Sequence, residues 1–492
     1  MPEAAKRGRR LLWVHQNFVS LKQTGIGRAT YLIAAMLDAG WHVDLVTSRI
    51  GYLEEAHGAD LSATLVEREG NLAVHRLGVP QGVETVQVSG KQTNYLDFAK
   101  NSLRYVQRTL PRADLIMASS PPLTVMLPPF WLALQWGVPV VLEFRDLWPG
   151  MLVEAGLLES KAFVKAMEWT AGYALAASEK VILAASGFEP YARHLGVPQS
   201  KIATVPTGAD PHYLSLDRGI GGAWRKEQGL ENKFIALFAG SMNDTSDVDK
   251  VADAAAITLK ERPDITWVCA GAGRLKPKLD EAAKTLPNLR LMGALPRNQM
   301  PSLYFAADVG LVTRAPWPLE ATVYPAKLFD YLAAGLPVIS TLRGQPAELL
   351  RASGGGETLD DRTPASLARA AMAFADRTSD ERKQIGRAGQ LWILREMNCY
   401  RMAEEMRAIL ESCVRPPNRL RAWARGIGAG LKACGWTFTG RDPRAIRRAT
   451  GDQMEAEIHA AFEAWFSRPN AAPSRPADYE LPLPEILSGR KP

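Results

Sequence analysis

Short apolar runs alternate with amphipathic segments along most of the chain. Residues 11–14 (LLWV) form an apolar run typical of a buried strand. Residues 28–39 then place apolar side chains on one helical face, Gly40 ends that helix, and residues 42–46 (HVDLV) resume as a strand. A strand, a glycine-containing loop, a helix and a second strand predict the opening of a doubly wound parallel sheet.

The alternation starts a second time after an irregular stretch. Residues 214–232 carry glycine and charge with little periodicity, and FIALF at 234–238 then begins a new strand–helix series. We therefore predict an α/β protein with two successive Rossmann-like, doubly wound domains. The predicted parts are an N-terminal Rossmann-like domain at 1–215, a linker at 216–232 and a C-terminal Rossmann-like domain at 233–385. A helical segment at 386–412 is expected to pack back toward the first domain, and a basic, partly ordered extension follows at 413–492.

Composition is typical of a water-soluble globular protein. Of the 492 residues, 47% are hydrophobic and 23% are charged. The four cysteines are too few and too scattered for a disulfide framework or a zinc site, which favours a reducing, cytoplasmic location. The N-terminus is too polar for a signal peptide, and no apolar run approaches the roughly 20 residues of a membrane span.

Charge is concentrated near the C-terminus. Between Arg415 and Arg448 there are nine Lys or Arg residues and a single acid, Asp442. Such a run indicates an anionic partner, either a phospholipid surface or a nucleic acid, or else a solvated basic tail. Because Trp423, Leu431 and Trp436 interrupt it, an interfacial helix is a further hypothesis.

The most informative segment is YPAKLFDYLAAGLPVI in the second domain. Pro325 suits the first turn of a helix, which leaves the amides of Ala326, Lys327 and Leu328 pointing outward as an anion site. Lys327 adds a full positive charge, and Asp330, one turn on, could accept two ribose hydroxyls. The alternative is a capped surface helix with an ordinary i, i+3 ion pair.

Together with its neighbours, this segment resembles the signature of family-four glycosyltransferases of the GT-B fold, specifically the exopolysaccharide and O-antigen branch that is L-fucosamine-transferase-like. The resemblance extends from about Leu11 to about Glu411. Residues 288–314 resemble the base-binding loop and the following helix, 205–210 (VPTGAD) the motif that closes the first domain, and 268–273 (VCAGAG) a glycine turn beside the nucleotide.

The resemblance implies that the first domain binds the acceptor, that the second binds the nucleotide-sugar donor, and that the two face a cleft. It also implies a retaining transfer of a sugar from a nucleotide-diphosphate sugar to a glycan or lipid-linked acceptor in bacterial surface polysaccharide synthesis. It implies no cofactor beyond this co-substrate and no nucleic-acid partner, with an anionic inner-membrane surface as a further partner. The expected donor-binding residues follow the strands of the second domain: Gly240, Ser241, Gly271, Gly273, Leu295, Tyr324, Pro325, Ala326, Leu328 and Asp330.

Two positions depart from the family pattern. Asp330 matches the second acid of a carboxylate pair, but the first acid falls on Thr322, and Glu320 is a possible substitute. Many relatives carry an Arg and a Lys after the first strand of this domain, where the chain has GSMN; Arg314 could partly replace them. The sequence Asp247-Val248-Asp249 imitates a metal-binding D-x-D, yet its place at a helix start favours N-capping, so we expect no metal.

In the first domain, the expected polar groups lie after two strands. Gly25 and Gly27 would admit a donor phosphate or the acceptor, or would simply form a tight turn. The sequence RDLWP follows VPVVLEF, and Asp146 within it is expected near the sugar or the acceptor hydroxyl, unless it forms a structural pair with an arginine. His15 is expected to face the cleft, or to be a rim or core residue. The expected catalytic residues are thus Asp146, Lys327 and Arg314.

Three other functions fit parts of the sequence. A nucleotide-sugar epimerase uses the same two-domain architecture. A nicotinamide dehydrogenase would explain the G-x-G loop, but the third glycine of its fingerprint is missing. A non-catalytic binding protein derived from the fold would explain Thr322 and the missing Arg/Lys pair.

Overall fold

The computed structural model describes residues 8–18, 20, 27–49, 61–79, 92–150, 160–194, 196–316, 320–438 and 485. Within these residues, eight strands form a first sheet in the order β3-β4-β2-β1-β5-β6-β7-β8. Every pairing is parallel except that of β3 with β4. The strands are β1 Arg10–Val14, β2 His42–Ser48, β3 Leu65–Glu69, β4 Leu72–Leu77, β5 Leu115–Ser120, β6 Val140–Phe144, β7 Lys180–Leu183 and β8 Ile202–Thr204.

A second sheet is parallel throughout the part of the chain that the structure describes, with the strand order β11-β10-β9-β12-β13-β14. Its strands are β9 Phe234–Ala239, β10 Ile265–Ala270, β11 Leu289–Gly293, β12 Val309–Val312, β13 Val338–Ser340 and β14 Gly356–Thr358. The chain therefore runs outward from β9 in one direction and then returns to β12 and runs outward in the other. This is the doubly wound order with its switch point between β9 and β12.

Helices connect the parallel strands. They are α1 Arg28–Asp38, α2 Gln92–Thr109, α3 Leu127–Trp136, α4 Lys161–Ala177, α5 Glu189–His194, α6 Gly219–Gln228, α7 Asp249–Glu261, α8 Lys276–Ala283, α9 Met300–Ala306, α10 Ala326–Ala334, α11 Gln345–Ser353, α12 Pro364–Asp376, α13 Ser379–Glu396, α14 Cys399–Cys413 and α15 Arg419–Phe438. None of the described helices is long and apolar enough to cross a membrane.

The central strands of both sheets, β5 and β6 in the first and β9 and β10 in the second, are buried on their two faces, as is usual in parallel sheets. In the second sheet, the apolar side chains of β9 and β10 pack with those of α7 and α12 around Trp267 and Phe238. The indole N–H of Trp267 donates to Thr258 Oγ1 at 2.8 Å, so its one polar atom is satisfied inside the core. The prediction of two α/β doubly wound domains is confirmed.

The boundary between the two units differs from the predicted linker. The first unit comprises the chain up to Pro206 together with Met402 onward, and the second takes in Thr207–Arg401. Residues 216–232 are not a linker, because they contain α6, which packs against α9 inside the second unit. Three of the first four residues of α6 are glycines, so this segment lacks the apolar periodicity that predicts a helix.

The C-terminal segments also divide differently from the predicted 386–412 and 413–492. Helix α13 ends at Glu396 inside the second unit, whereas α14 enters the first unit from Met402 onward. Within the first unit, the guanidinium of Arg28 donates to Val205 O at 2.6 Å and to Met406 Sδ at 3.1 Å. The predicted extension begins with the ordered helix α15, which packs on α4 and α3.

Candidate functional site

The switch point of the second sheet brings three expected site elements together. Gly240 directly follows β9, and Arg314 lies two residues after the end of β12. Ligands of doubly wound sheets bind at the carboxyl ends of the strands on either side of such a point. Helix α10 begins beside them, with Pro325 as its N-cap residue in extended conformation and with no side-chain cap. The N–H of Leu328 donates to Pro325 O at 3.0 Å, so of the three amides expected to form an anion site only those of Ala326 and Lys327 fit that role.

A tyrosine fixes this helix to the sheet. The backbone N–H of Ala239 donates to Tyr331 Oη at 2.7 Å, and the Tyr331 hydroxyl donates to Leu237 O at 3.2 Å. The ring passes over Gly310 of β12, where an added Cβ would lie 2.5 Å from it. Because Tyr331 ties α10 to the end of β9, the helix N-terminus is held at a fixed place relative to Gly240.

Lys327 lies between these elements and is only partly exposed. Its Nζ is 3.5 Å from the ring centroid of Phe238, a cation–π contact, and a Cβ at Gly240 would come within 2.9 Å of its Cε and Nζ. Burial, with a further contribution from the positive charge of Arg314, lowers the pKa of Lys327 to about 7. Two cations near unpaired helix amides make an arrangement that an anion would stabilise.

The glycine turns after β9 and β10 touch each other directly. Gly271 has φ 148°, and a Cβ there would lie 1.9 Å from the carbonyl oxygen of Gly240. Gly273 has φ 146°, and a Cβ there would lie 2.5 Å from the carbonyl oxygen of Met242. These glycines are therefore needed for loop packing, in addition to any approach of a nucleotide.

Asp330 has partners that the sequence did not reveal. Its Oδ1 accepts from Arg297 Nη2 at 3.1 Å and from the Tyr213 hydroxyl at 3.5 Å. Burial raises the pKa of Asp330, although Arg297 opposes the shift. The carboxylate thus pairs with Arg297 rather than with Lys327 in the i, i+3 pair considered as an alternative. Arg297 lies in the segment that resembles a base-binding loop, but nothing in the sequence links it to Asp330.

The missing first acid is not restored in a simple way. Thr322 is buried in a short 3-10 turn, Glu320–Thr322. Glu320, also buried, accepts a hydrogen bond from Arg362 through Oε1. Its Oε2 is buried and finds no hydrogen-bond partner among the described residues. One carboxylate oxygen thus remains available for a ligand, while the other is bound by an arginine.

The remaining expected donor residues lie around the same strand ends. Ser241 is exposed directly after Gly240, and Leu295 is partly buried two residues after β11. Tyr324 and Ala326 are partly buried, whereas Leu328 is fully buried. The Tyr324 ring meets Phe329 edge-on, with ring centroids 5.9 Å apart.

The D-x-D sequence forms ion pairs, and the predicted N-cap is wrong. The N-cap of α7 is Val248, with no side-chain cap. Asp247 pairs with Lys250 at 2.5 Å, and Asp249 pairs with Lys278 at 2.9 Å. Among the residues described, no group of three or more His, Cys, Asp or Glu gathers as a metal site. Metal independence stays a prediction.

The first unit has a buried charged cluster at its own switch point, between β1 and β5. Arg28 pairs with Glu143 at 2.7 Å, and Ser119 donates to the other carboxylate oxygen. Arg145 Nη1 lies 2.8 Å from His15 Nε2. Burial, together with the charge of Arg145, lowers the pKa of His15 to about 3, so this imidazole is neutral near pH 7. With Nε2 accepting from Arg145, the ring proton resides on Nδ1.

Several side-chain polar atoms next to this cluster are buried. His15 Nδ1, Gln16 Oε1, Asn17 Oδ1 and Ser120 Oγ find no hydrogen bond among the described residues. Asp146 lies two residues after β6 and is partly buried. Gly27 is the N-cap residue of α1, with φ −79°, a conformation that any residue adopts. Gly25 lies outside the described residues.

Two successive doubly wound domains, the second with a cationic switch point, define the GT-B class of folds. Residues 24–208 match the family described as "Glycosyl transferase 4-like domain", and residues 233–377 match "Glycosyl transferases group 1". The chain thus carries domains of these two glycosyltransferase families at residues 24–208 and 233–377. The expected family is confirmed at this level, whereas the L-fucosamine-transferase branch remains a prediction.

Similar proteins support the same assignment. YtcC of Bacillus subtilis is 28% identical over 196 residues, covering 36% of this chain and 46% of YtcC. TuaH of Bacillus subtilis, named for teichuronic acid biosynthesis, is 28% identical over 156 residues, covering 30% of this chain and 36% of TuaH. The chain therefore spans less than half the length of these two relatives. The sequence of HepE from Anabaena, solved in complex with UDP, is 14% identical to this chain, and the two structures align with a TM-score of 0.60. The alignment covers 82% of this chain and 100% of HepE, which shows a likeness of fold.

Proposed function

We propose that the protein transfers a sugar from a nucleotide-diphosphate sugar and that the switch point of its second sheet binds the diphosphate. The observation that carries this proposal is the meeting of Lys327, Arg314 and the free amides at the start of α10. The charged form of Lys327 is disfavoured because the side chain is partly buried and lies beside a second cation. A diphosphate would supply the missing negative charge.

The same groups would stabilise the leaving group. When the bond between the sugar carbon and the phosphate oxygen breaks, negative charge builds on the departing diphosphate and positive charge on the sugar. Preorganised cations and amides stabilise that developing charge without reorganisation. Lys327 and Arg314 would supply the positive charge that a metal ion supplies in other transferases. Asp330 would bind the ribose through Oδ2, since Oδ1 is already used by Arg297.

The acceptor would bind in the first unit. After β1, buried side-chain atoms of His15, Gln16 and Asn17 have no hydrogen-bond partner among the described residues, which suits a hydroxyl-rich ligand. Because His15 is neutral with its proton on Nδ1, it would donate a hydrogen bond rather than act as a base. Asp146, beside this cluster, is the residue we assign to the reacting hydroxyl.

The finer assignments rest on resemblance. The family resemblance supports transfer with retention, and TuaH, named for teichuronic acid biosynthesis, supports a surface polysaccharide as the product. HepE is described in complex with UDP, which supports a uridine nucleotide as the first donor to test. A glycan or lipid-linked acceptor and a peripheral place at the cytoplasmic membrane belong to the same proposal.

A binding protein without catalysis is the second candidate. Thr322 replaces the first acid of the carboxylate pair, and Glu320 has one oxygen occupied by Arg362. Such a site could hold the nucleotide yet position the sugar poorly. Turnover measurements separate this candidate from an enzyme.

Thermal stabilisation by a panel of nucleotide-diphosphate sugars, followed by assay of nucleotide release, tests the proposal. We expect one or more donors to raise the melting temperature, and Lys327→Ala to abolish the effect while the variant stays folded. Lys383→Ala, at an exposed position of α13, is the matched control. Stabilisation that persists in Lys327→Ala would overturn the diphosphate assignment, and binding without nucleotide release would favour the second candidate.

A further inference from the structure

Helix α15 packs with its small residues inward. Ala429 and Ala433 are buried against the first unit, and Gly426 approaches so closely that an added Cβ would lie 3.1 Å from Leu134 Cδ2. These residues follow one another at helical spacing and let α15 lie close to α4 and α3. The contact with the first unit thus uses few large apolar side chains of this helix.

Its large apolar side chains point outward instead. Leu420, Trp423, Ile427 and Leu431 are 84%, 53%, 61% and 71% exposed. Their spacing of three, four and four residues places them on one face, which we call the outer stripe. A helix on the surface of a soluble domain normally turns such residues inward, so the outer stripe indicates a contact beyond the unit.

Basic side chains border the outer stripe. At about 100° per residue, Arg421 and Lys432 fall on one side of it and Arg419 on the other, and all three are exposed. Arg425, on the same side of the helix as Lys432, is partly buried and paired with Glu179. The helix itself contains no acidic residue that could neutralise these charges.

We propose that the outer stripe of α15 docks the protein on an anionic phospholipid bilayer. The stripe would enter the boundary between head groups and acyl chains, while the flanking basic residues contact lipid phosphates. A second copy of the chain is a poorer partner, because self-association through the stripe would bring the basic borders of two molecules together. This inference specifies a surface in the first unit and does not depend on the donor site.

The cysteines offer a local reporter of this contact. Cys434 is exposed on the stripe side of α15, whereas Cys269, Cys399 and Cys413 are buried. A polarity-sensitive dye on Cys434 of the full chain should shift to the blue with phosphatidylglycerol-containing vesicles. Vesicles of phosphatidylcholine alone should give little shift. Flotation of the unlabelled protein with the same vesicles measures binding independently of the dye.

Two triple variants separate the stripe from general surface hydrophobicity. The test variant changes three stripe residues: Trp423→Gln, Ile427→Gln and Leu431→Gln. The control variant changes three leucines that are 54–56% exposed on other elements: Leu96→Gln, Leu214→Gln and Leu391→Gln. We expect the first to lose flotation and the second to keep it, with both folded by melting temperature.

Charge is tested separately, and several results would overturn the proposal. Replacing Arg419, Arg421 and Lys432 by Gln should weaken anionic-vesicle binding about fivefold per charge removed. Equal binding to phosphatidylcholine vesicles, or no binding by the full chain, would contradict it. Self-association in sedimentation experiments that the stripe variant abolishes, without vesicle binding, would instead assign the surface to a second copy.

Discussion

Replacing Lys327 by methionine should stabilise the protein while removing its affinity for nucleotide diphosphates. Burial and the nearby Arg314 lower the lysine pKa from 10.5 to about 7. At about 1.36 kcal/mol per pKa unit, this shift corresponds to a cost of about 4 kcal/mol at pH 7 if solvent screening is ignored. The side chain is partly exposed, so screening reduces the expected gain from Lys327→Met to about 1–2 kcal/mol.

The lowered pKa of Lys327 determines how the stability difference between wild type and Lys327→Met changes with pH. The unfolded chain binds a proton at Lys327 up to about pH 10.5, whereas the folded state releases it near pH 7. The free energy of unfolding of the wild type therefore rises between pH 7 and pH 10.5. Below pH 7 the full cost of holding the charged lysine in the folded state is present. The advantage of Lys327→Met should be largest in acid and should disappear toward pH 10.5.

Urea unfolding of wild type and variant across this pH range measures the effect. Lys383→Met is the matched control, because Lys383 is exposed and its one ion pair within the described part of the chain is with Asp380. Added UDP should raise the stability of wild type and of the control but not that of Lys327→Met. A variant that is less stable than wild type at pH 7, or that UDP stabilises equally, would refute the reasoning.

Four further predictions concern ligand binding at this site and the packing of single residues in the second unit. Affinity for UDP should fall by up to tenfold per pH unit above pH 7, with proton uptake on binding, because the ligand requires charged Lys327; calorimetry in buffers of different ionisation enthalpy checks this. Gly271→Ala should destabilise the protein by about 3 kcal/mol or more in urea unfolding, since its Cβ would lie 1.9 Å from a neighbouring carbonyl oxygen. Gly222→Ala, in α6 with no atom within 4 Å of the added Cβ, should instead stabilise by about 0.5–1 kcal/mol. Tyr331→Phe should cost about 1–3 kcal/mol and weaken UDP binding, because the N–H of Ala239 loses its acceptor; retained stability would contradict that role.

Features that depend on residues close together in the sequence could be predicted. Alternating strands and helices, the N-terminus of α10 at Pro325 and the glycine turn after β10 all follow from patterns within a few residues. Pairings across long sequence separations could not be predicted this way. Arg297 meets Asp330 from 33 positions away in the chain, and Arg28 reaches Glu143 across 115. Such pairs depend on strand order, which periodicity does not encode.

Helix α15 shows a different limit of pattern analysis. Its basic and apolar residues were visible in the sequence, but which face packs was not. A stripe of leucine, isoleucine and tryptophan normally predicts the buried face. Here Gly426, Ala429 and Ala433 form the packed face because close helix contact needs small residues, and the stripe is left outside. Only the packing of α15 against α4 and α3 shows that the small residues, and not the stripe, form the buried face.

In the proposed donor site, the backbone around the ligand is held rigidly, whereas the positive charge of Lys327 is unfavourable. Tyr331 binds the end of β9, and Gly271 fits against Gly240, so the strand ends and the start of α10 have little freedom to rearrange. Within that frame, Lys327 is kept beside Arg314 at a lowered pKa, and relaxing the pair would require moving α10. In the proposed function, a bound diphosphate would neutralise both cations without such movement. The stability lost at Lys327 would then become affinity for the donor, so we expect stability and binding to change in opposite directions when the lysine is removed.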